Sequence, residues 1–176
     1  MVSNLSLRST LLFIFLTLSL TLFGQSVKNY YVSKIVDNGT LYHLYPQELF
    51  QSSDGDDLAY DITYNSVNDS IALNITVVND SVLKLKSIAI ESENIKLKGE
   101  LERLFVEPKG KQWLHRYSLN TQAEPLFSLY NLESNPQITL YTSDNEYIYS
   151  VKHSAWKKYA PIGNRIFEMI KIQRNN

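Results

Sequence analysis

Length, composition and charge place this chain among ordinary globular proteins. It has 176 residues, of which 44% are apolar and 20% charged, and its formal net charge is −1. These values exclude wholesale disorder. Cysteine is absent, which excludes disulfides, thiolate zinc sites and lipid attachment through a cysteine.

The first 24 residues have the pattern of a secretory signal peptide. A polar stretch with one cation, Arg8, precedes an apolar run from Leu11 to Phe23, which is the order of regions in such signals. The run is 13 residues long, whereas a helix that spans a bilayer needs about 20. Gly24 is the small residue expected before a cleavage site, so we expect the mature protein to begin at Gln25 and to keep no transmembrane span. An uncleaved anchor or a buried N-terminal helix is the alternative.

Residues 25–153 are predicted to form one β-domain. Tyr30–Val36 and Thr40–Tyr45 are rich in β-branched and aromatic residues, and the Asp37-Asn38-Gly39 sequence between them predicts a hairpin. Pro46–Phe50 could form one helical turn. Further strands are predicted at Leu58–Asn65, Ser70–Val78, Val82–Glu91, Asn94–Lys98, Leu101–Glu107, Trp113–Leu119, Pro136–Thr142 and Glu146–Lys152. Short turns without alternating helices favour an antiparallel β-sandwich or open barrel of about nine or ten strands.

The last segment, residues 154–176, is predicted to be a short helical appendage packed on the sheet. Ser154 is a suitable N-cap, and apolar residues follow at helical spacing. Pro161 and Gly163 should kink the segment between Ala160 and Asn164 and leave two short helices.

The charge is unevenly distributed between this segment and the rest of the domain. Residues 25–150 carry 10 basic and 17 acidic side chains, and residues 151–176 carry 6 basic and 1 acidic. A basic helix can contact an anionic membrane or a partner, but cations near a helix C-terminus also offset its dipole. We expect packing on the domain, and no nucleic-acid partner for an exported protein.

An acidic loop is the one candidate for a metal site. Asp54, Asp56 and Asp57 flank Gly55, and carboxylates on such a loop suit calcium. An EF-hand would also need a glutamate at the twelfth loop position, where the chain has Asn65. A solvated turn is the simpler interpretation, and we expect no other cofactor.

Aromatic strand residues are the candidates for ligand binding. Trp113, His115 and Tyr117 share one face of a predicted strand, and Tyr147 and Tyr149 share a face of another. Exposed aromatic rings of this kind bind sugars or peptides. The alternative is ordinary packing, because aromatic residues are favoured in strands.

Two serines are candidates for modification. Asp69-Ser70-Ile71 and Asp80-Ser81-Val82 lie at predicted junctions between turns and strands. Both resemble the Asp-Ser-aliphatic acceptor of a general O-glycosylation system in some Gram-negative bacteria. The resemblance implies glycosylation at Ser70 and Ser81.

As a whole, the chain resembles uncharacterised exported β-sandwich proteins of Gram-negative bacteria, on the strength of the Leu-Phe-Gly-Gln signal ending and the strand pattern. This resemblance implies a non-enzymatic binding or structural module of the envelope, located in the periplasm or outside the cell. Its partner would be a glycan, a peptide or an envelope protein. The second hypothesis is an envelope hydrolase or calcium-dependent module that uses the acidic loop. The sequence fixes neither ligand nor oligomeric state.

Overall fold

The computed structural model describes residues 27–93, 95–130 and 135–174. The predicted signal peptide and its cleavage site lie outside these residues. A 3-10 helix, Val27–Asn29, leads into the sheet. The strands are β1 (Tyr31–Val36), β2 (Gly39–Ser52), β3 (Asp57–Asn65), β4 (Ser70–Asn79), β5 (Ser87–Ser92), β6 (Ile95–Glu100), β7 (Glu102–Lys109), β8 (Gln112–Gln122), β9 (Gln137–Tyr141) and β10 (Glu146–Val151). The helices are α1 (Ala123–Ser128) and α2 (His153–Arg174).

All ten strands belong to one antiparallel sheet. Its order is β6-β5-β9-β10-β2-β3-β4-β8-β7, and β1 pairs with β2 beside this path. The sheet curls into a half-barrel, so the predicted mainly β fold of the open-barrel type is confirmed. In the part of the chain that the structure describes, helix α2 rather than a second sheet covers the concave face, so the predicted β-sandwich alternative is not observed.

Strand β2 is long and irregular. Its register with β3 shifts between Leu44 and Gln47 and again between Glu48 and Phe50. Such bulges allow a proline, which has no N–H to donate, to lie inside a strand. The predicted helical turn at Pro46–Phe50 is therefore wrong, and β2 continues to Ser52.

A crossing segment, residues 80–86, joins β4 to β5. These strands lie at well-separated positions in the sheet, so the predicted strand Val82–Glu91 cannot start before the chain has crossed. It starts at Ser87. Leu83 and Leu85 of the crossing segment are buried, and their backbone atoms bond to side chains of β8.

Helix α2 is one helix of 22 residues. The prediction of two short helices is wrong. Pro161 is exposed, so the Lys157 carbonyl that it leaves without a helical donor can bond to water. A proline inside a helix costs about 3 kcal/mol, whereas full burial of one large apolar side chain contributes about 1.5–3 kcal/mol. The helix buries seven apolar residues: Trp156, Tyr159, Ala160, Ile162, Ile166, Phe167 and Ile170.

These side chains fill the concave face of the sheet. Tyr130, which follows α1, stacks on Trp156 with 5.3 Å between ring centroids and meets Phe167 edge-on at 5.0 Å. Its hydroxyl lies 2.5 Å from that of Tyr60 on β3. Burial raises the pKa of both tyrosines well above the usual value, so both hydroxyls stay protonated. Phe50 of β2 completes the contact with Trp156.

Gly163 provides a test of this packing. A Cβ atom at this position would fall inside van der Waals contact with the ring of Tyr130, which is fully buried. We expect Gly163→Val to lower the free energy of unfolding by about 1–3 kcal/mol through overpacking. The matched control is Asn164→Val on the exposed side of α2, which should change it by less than about 0.5 kcal/mol. Equal denaturant midpoints for the two variants would contradict the close approach of α2 to Tyr130.

Candidate functional site

The end groove is a depression at the open end of the half-barrel, where α2 stops. It has a volume of about 320 Å³. Three parts of the chain meet there: the β1/β2 hairpin, the turn after β3 and the end of α2. The lining residues are Tyr31, Ser33, Ile35, Thr40, Tyr42, Ser66, Ile170 and Gln173. Ser33 and Ile35 of the hairpin are exposed in the groove, whereas Tyr42 and Ile170 are buried.

Hydrogen bonds fix the walls of the end groove. The backbone N–H of Thr40 donates to Ser66 Oγ at 2.7 Å, and the N–H of Ser66 donates to the Thr40 carbonyl at 3.1 Å. The Tyr42 hydroxyl donates to Gln173 Oε1, and the Tyr31 hydroxyl to Met169 Sδ at 3.3 Å. Burial raises the pKa of Tyr42. The groove thus presents hydroxyl, amide and apolar groups, and among its described lining residues no side chain carries a formal charge at neutral pH.

The predicted aromatic row on β8 faces the core. His115 and Tyr117 are buried, and Trp113 is partly buried. His115 Nε2 accepts the N–H of Leu83 at 2.8 Å, and the Tyr117 hydroxyl donates to the Leu83 carbonyl at 3.0 Å. These two side chains hold the crossing segment against the sheet and present no ring to a ligand.

The predicted pair on β10 also points inward. Tyr149 is buried, Tyr147 is partly buried, and Ile148 between them is exposed. Burial raises the pKa of Tyr149 to about 12, so its hydroxyl stays protonated at neutral pH. Tyr147 lines a polar depression of about 290 Å³ together with Ser81 and the turn between β9 and β10. The structure therefore brings together Tyr147, predicted to bind a ligand, and Ser81, predicted to be glycosylated. It does not form the predicted exposed aromatic face.

The acidic loop is a hydrogen-bonded turn. Gly55 has a positive φ of 91°, and the N–H of Asp56 donates to Ser52 Oγ at 3.0 Å. Asp57 pairs with Lys152, with 2.6 Å between Nζ and Oδ1. Among the residues that the structure describes, no group of three or more His, Asp or Glu side chains is placed to hold a metal ion. The three carboxylates, including that of Asp54, therefore do not converge on one cation.

The loop forms one wall of an outer cleft on the convex face of the sheet. The cleft has a volume of about 370 Å³, and Lys109 and Gln112 lie on its other side. Two of its polar side chains bond to groups outside the cleft: Asp57 pairs with Lys152, and Gln112 Nε2 donates to Asp80 Oδ1 at 2.9 Å. The outer cleft is lined by charged side chains, among them Glu48, Asp56 and Lys109, whereas the described lining of the end groove is uncharged.

The two predicted glycosylation sites differ in exposure. Ser81 is exposed, and its Oγ donates to Asn79 Oδ1 at 3.0 Å. Ser70 is half-buried at the start of β4, and its Oγ donates to Asn68 Oδ1 at 2.6 Å. Glycosylation at both serines stays a prediction, with Ser81 the more accessible.

None of the predicted site residues lines the end groove. Its residues are far apart along the chain, and no motif connects them. The Tyr31-x-Ser33-x-Ile35 alternation on β1 is the one signal in the sequence that could have indicated it, since residues two apart lie on the same face of a strand.

The burial of His115 leads to a prediction about pH. Burial lowers its pKa below the usual range, while the nearby carbonyls of Val77 and Trp113 act in the opposite direction. Nε2 is an acceptor, so the neutral ring carries its proton on Nδ1, which has no hydrogen bond of acceptable geometry within the described residues. The imidazole of His115 therefore binds a proton more readily in the unfolded chain than in the folded one. The contribution of the neutral ring to the free energy of unfolding is fully present above pH 6.5 and is lost as the pH falls.

We expect the free energy of unfolding to fall by up to about 1.4 kcal/mol per pH unit below 6.5 because of His115 alone. Denaturant titrations of the wild type, His115→Gln and the exposed-site control His43→Gln between pH 5.5 and 7.5 measure this slope. The slope should flatten only in His115→Gln. If that variant does not fold, the NMR titration of His115 in the wild type replaces it, and a pKa at or above 6.5 would contradict the assignment.

No helix in the described part of the chain is both long and apolar enough to span a membrane. Comparison of the chain with protein families, with curated proteins and with solved structures finds no match. The functional proposal therefore depends on the geometry of the end groove.

Proposed function

We propose that this protein is an exported, non-enzymatic binding module of the bacterial envelope and that its ligand occupies the end groove. The observation that carries the proposal is the groove itself: a preformed depression of about 320 Å³ at the mouth of the half-barrel. Ligand sites are commonly found at barrel mouths, and their volumes range from about 300 to 1,000 Å³.

The rigid surroundings of the groove support this proposal. Tyr42 is 5% exposed and Ile170 is 1% exposed, so two of the lining residues belong to the packed core. A site built on such residues needs little reorganisation when a ligand binds, and this lowers the entropic cost of binding.

The chemistry of the lining indicates the kind of ligand. Tyrosine and isoleucine side chains supply apolar surface, and the hydroxyls of Ser33, Thr40 and Ser66 can donate or accept hydrogen bonds. A ligand, or the part of it that enters the groove, should therefore be uncharged and partly apolar.

Export is tested by the mature N-terminus. When the full chain is expressed in a Gram-negative host, we expect the periplasmic or secreted form to begin at Gln25. Intact mass and N-terminal sequencing measure this. The same mass spectrum tests glycosylation: a hexose-sized mass increase that disappears in Ser81→Ala would establish it at Ser81. A chain that keeps residues 1–24 in the cytoplasm would contradict the proposal.

Binding in the groove is tested with the 15N-labelled mature protein, a panel of neutral glycans and pools of random heptapeptides. We expect binding by at least one class to shift the amide resonances of Ser33, Thr40 and Ser66. Ser33→Trp should fill the groove and weaken that binding at least about tenfold. His43→Trp is the matched control, because His43 is exposed on the opposite face of β2. If no class binds, or if binding is insensitive to Ser33→Trp, the groove is not the site.

A further inference from the structure

Strand β1 has an open edge next to the end groove. Both β1 and β10 pair with the side of β2 that faces away from β3, but β1 pairs with residues 39–44 and β10 with residues 50–52. Within the described part of the chain β2 is the one strand beside β1. Half of the backbone N–H and C=O groups of β1 therefore point away from the sheet, as they do in any edge strand.

The open edge carries apolar side chains that the fold leaves uncovered. Ile35 is 86% exposed and Val32 is 49% exposed. Proteins usually protect an edge strand by a charged side chain such as lysine, a bulge, a proline or a covering segment. Of these protections, the described residues of β1 show only Lys34, and the register with β2 is continuous from Tyr31 to Val36.

The edge and the groove share residues. Tyr31, Ser33 and Ile35 lie on the inner face of β1 and line the end groove, while Val32 and Lys34 lie on its outer face. A strand added to the open edge would alternate in the same way. Every second side chain would point toward the groove, and the backbone would satisfy the open donors and acceptors. This is how strand addition combines affinity from the backbone with specificity from a pocket.

Charge favours a peptide over a second copy of this chain. Lys34 is exposed and forms no ion pair with any described residue. If two copies paired through β1 about a twofold axis, the registers with most overlap would centre on Ser33 or on Lys34. Both registers make the two Lys34 side chains diagonal or direct neighbours, and like charges in such positions repel. A peptide strand that places an acidic residue beside Lys34 avoids the repulsion and gains an ion pair with Lys34.

We propose that the ligand is an extended peptide that adds to β1 as a further strand, places an uncharged, partly apolar side chain in the end groove and sets an acidic side chain beside Lys34. This inference rests on the proposed function, because it names the ligand class of the same groove.

The first experiment selects a random heptapeptide library on the immobilised mature protein and, in parallel, on Lys34→Glu. We expect wild-type selections to enrich peptides in which an acidic residue alternates with apolar ones, and Lys34→Glu selections to replace the acid by Lys or Arg. A wild-type peptide should bind Lys34→Ala up to about fivefold more weakly, which is the effect of losing an exposed ion pair, and Lys34→Glu more weakly still, because like charges then oppose each other. Enrichment without alternation, or the same charge preference on both proteins, would overturn the inference.

The second experiment tests the backbone. The best selected peptide is synthesised in two forms, each N-methylated at one of the two alternating sets of amides. Because only one set of amides can face β1, we expect one form to lose binding and the other to keep it. Equal affinities for both forms would overturn strand addition.

The outcomes separate this inference from the proposed function. A glycan that binds in a Ser33→Trp-sensitive manner without any peptide binding would overturn the inference and keep the groove as a site. Sedimentation that shows a concentration-dependent dimer weakened by Ile35→Pro, which removes an N–H that points away from β2, would assign the edge to a second copy and overturn the peptide proposal. If neither the glycans nor the peptides bind in a manner that Ser33→Trp weakens, both proposals are overturned.

Discussion

Burial of the concave face by helix α2 is the constraint on which the rest of the structure depends. A single curled sheet has one inner face, and within residues 27–93, 95–130 and 135–174 no second sheet covers it. The helix supplies the missing surface through Trp156 and Phe167, with Tyr130 inserted between the helix and the sheet. Gly163 is needed where the Tyr130 ring meets the helix, since even one added carbon would overlap it. This packing also overcomes the cost of Pro161 inside the helix.

The same arrangement bounds the groove that we propose as the ligand site. Aromatic rings fill the interior along α2, and the end groove lies where the last turn of the helix meets the β1/β2 hairpin. Its walls take their rigidity from core residues such as Tyr42, and its open side is formed by a strand whose outer edge has no neighbour in the described residues.

The polar side chains of the interior have structural roles. His115 and Tyr117 bond to the backbone of the crossing segment, which must pass over the sheet because β4 and β5 are far apart in strand order. Buried backbone groups need such partners, since an unsatisfied donor or acceptor costs about 1–3 kcal/mol. Residues that a sequence suggests as ligand contacts are here the supports of an irregular connection.

The sequence by itself determined most strands, most turns and the antiparallel class, because these depend on local preferences: the alternation in Ser70–Val78, the Asp37-Asn38-Gly39 turn and the β-branched runs. It could not determine that α2 stays helical through Pro161, that Trp113, His115 and Tyr117 turn inward, or that Tyr31, Ser33 and Gln173 meet. Those features depend on which face of each element the curled sheet buries and on contacts between residues more than a hundred positions apart. Only the tertiary structure decides them, because burial is a property of the whole sheet and not of any one segment.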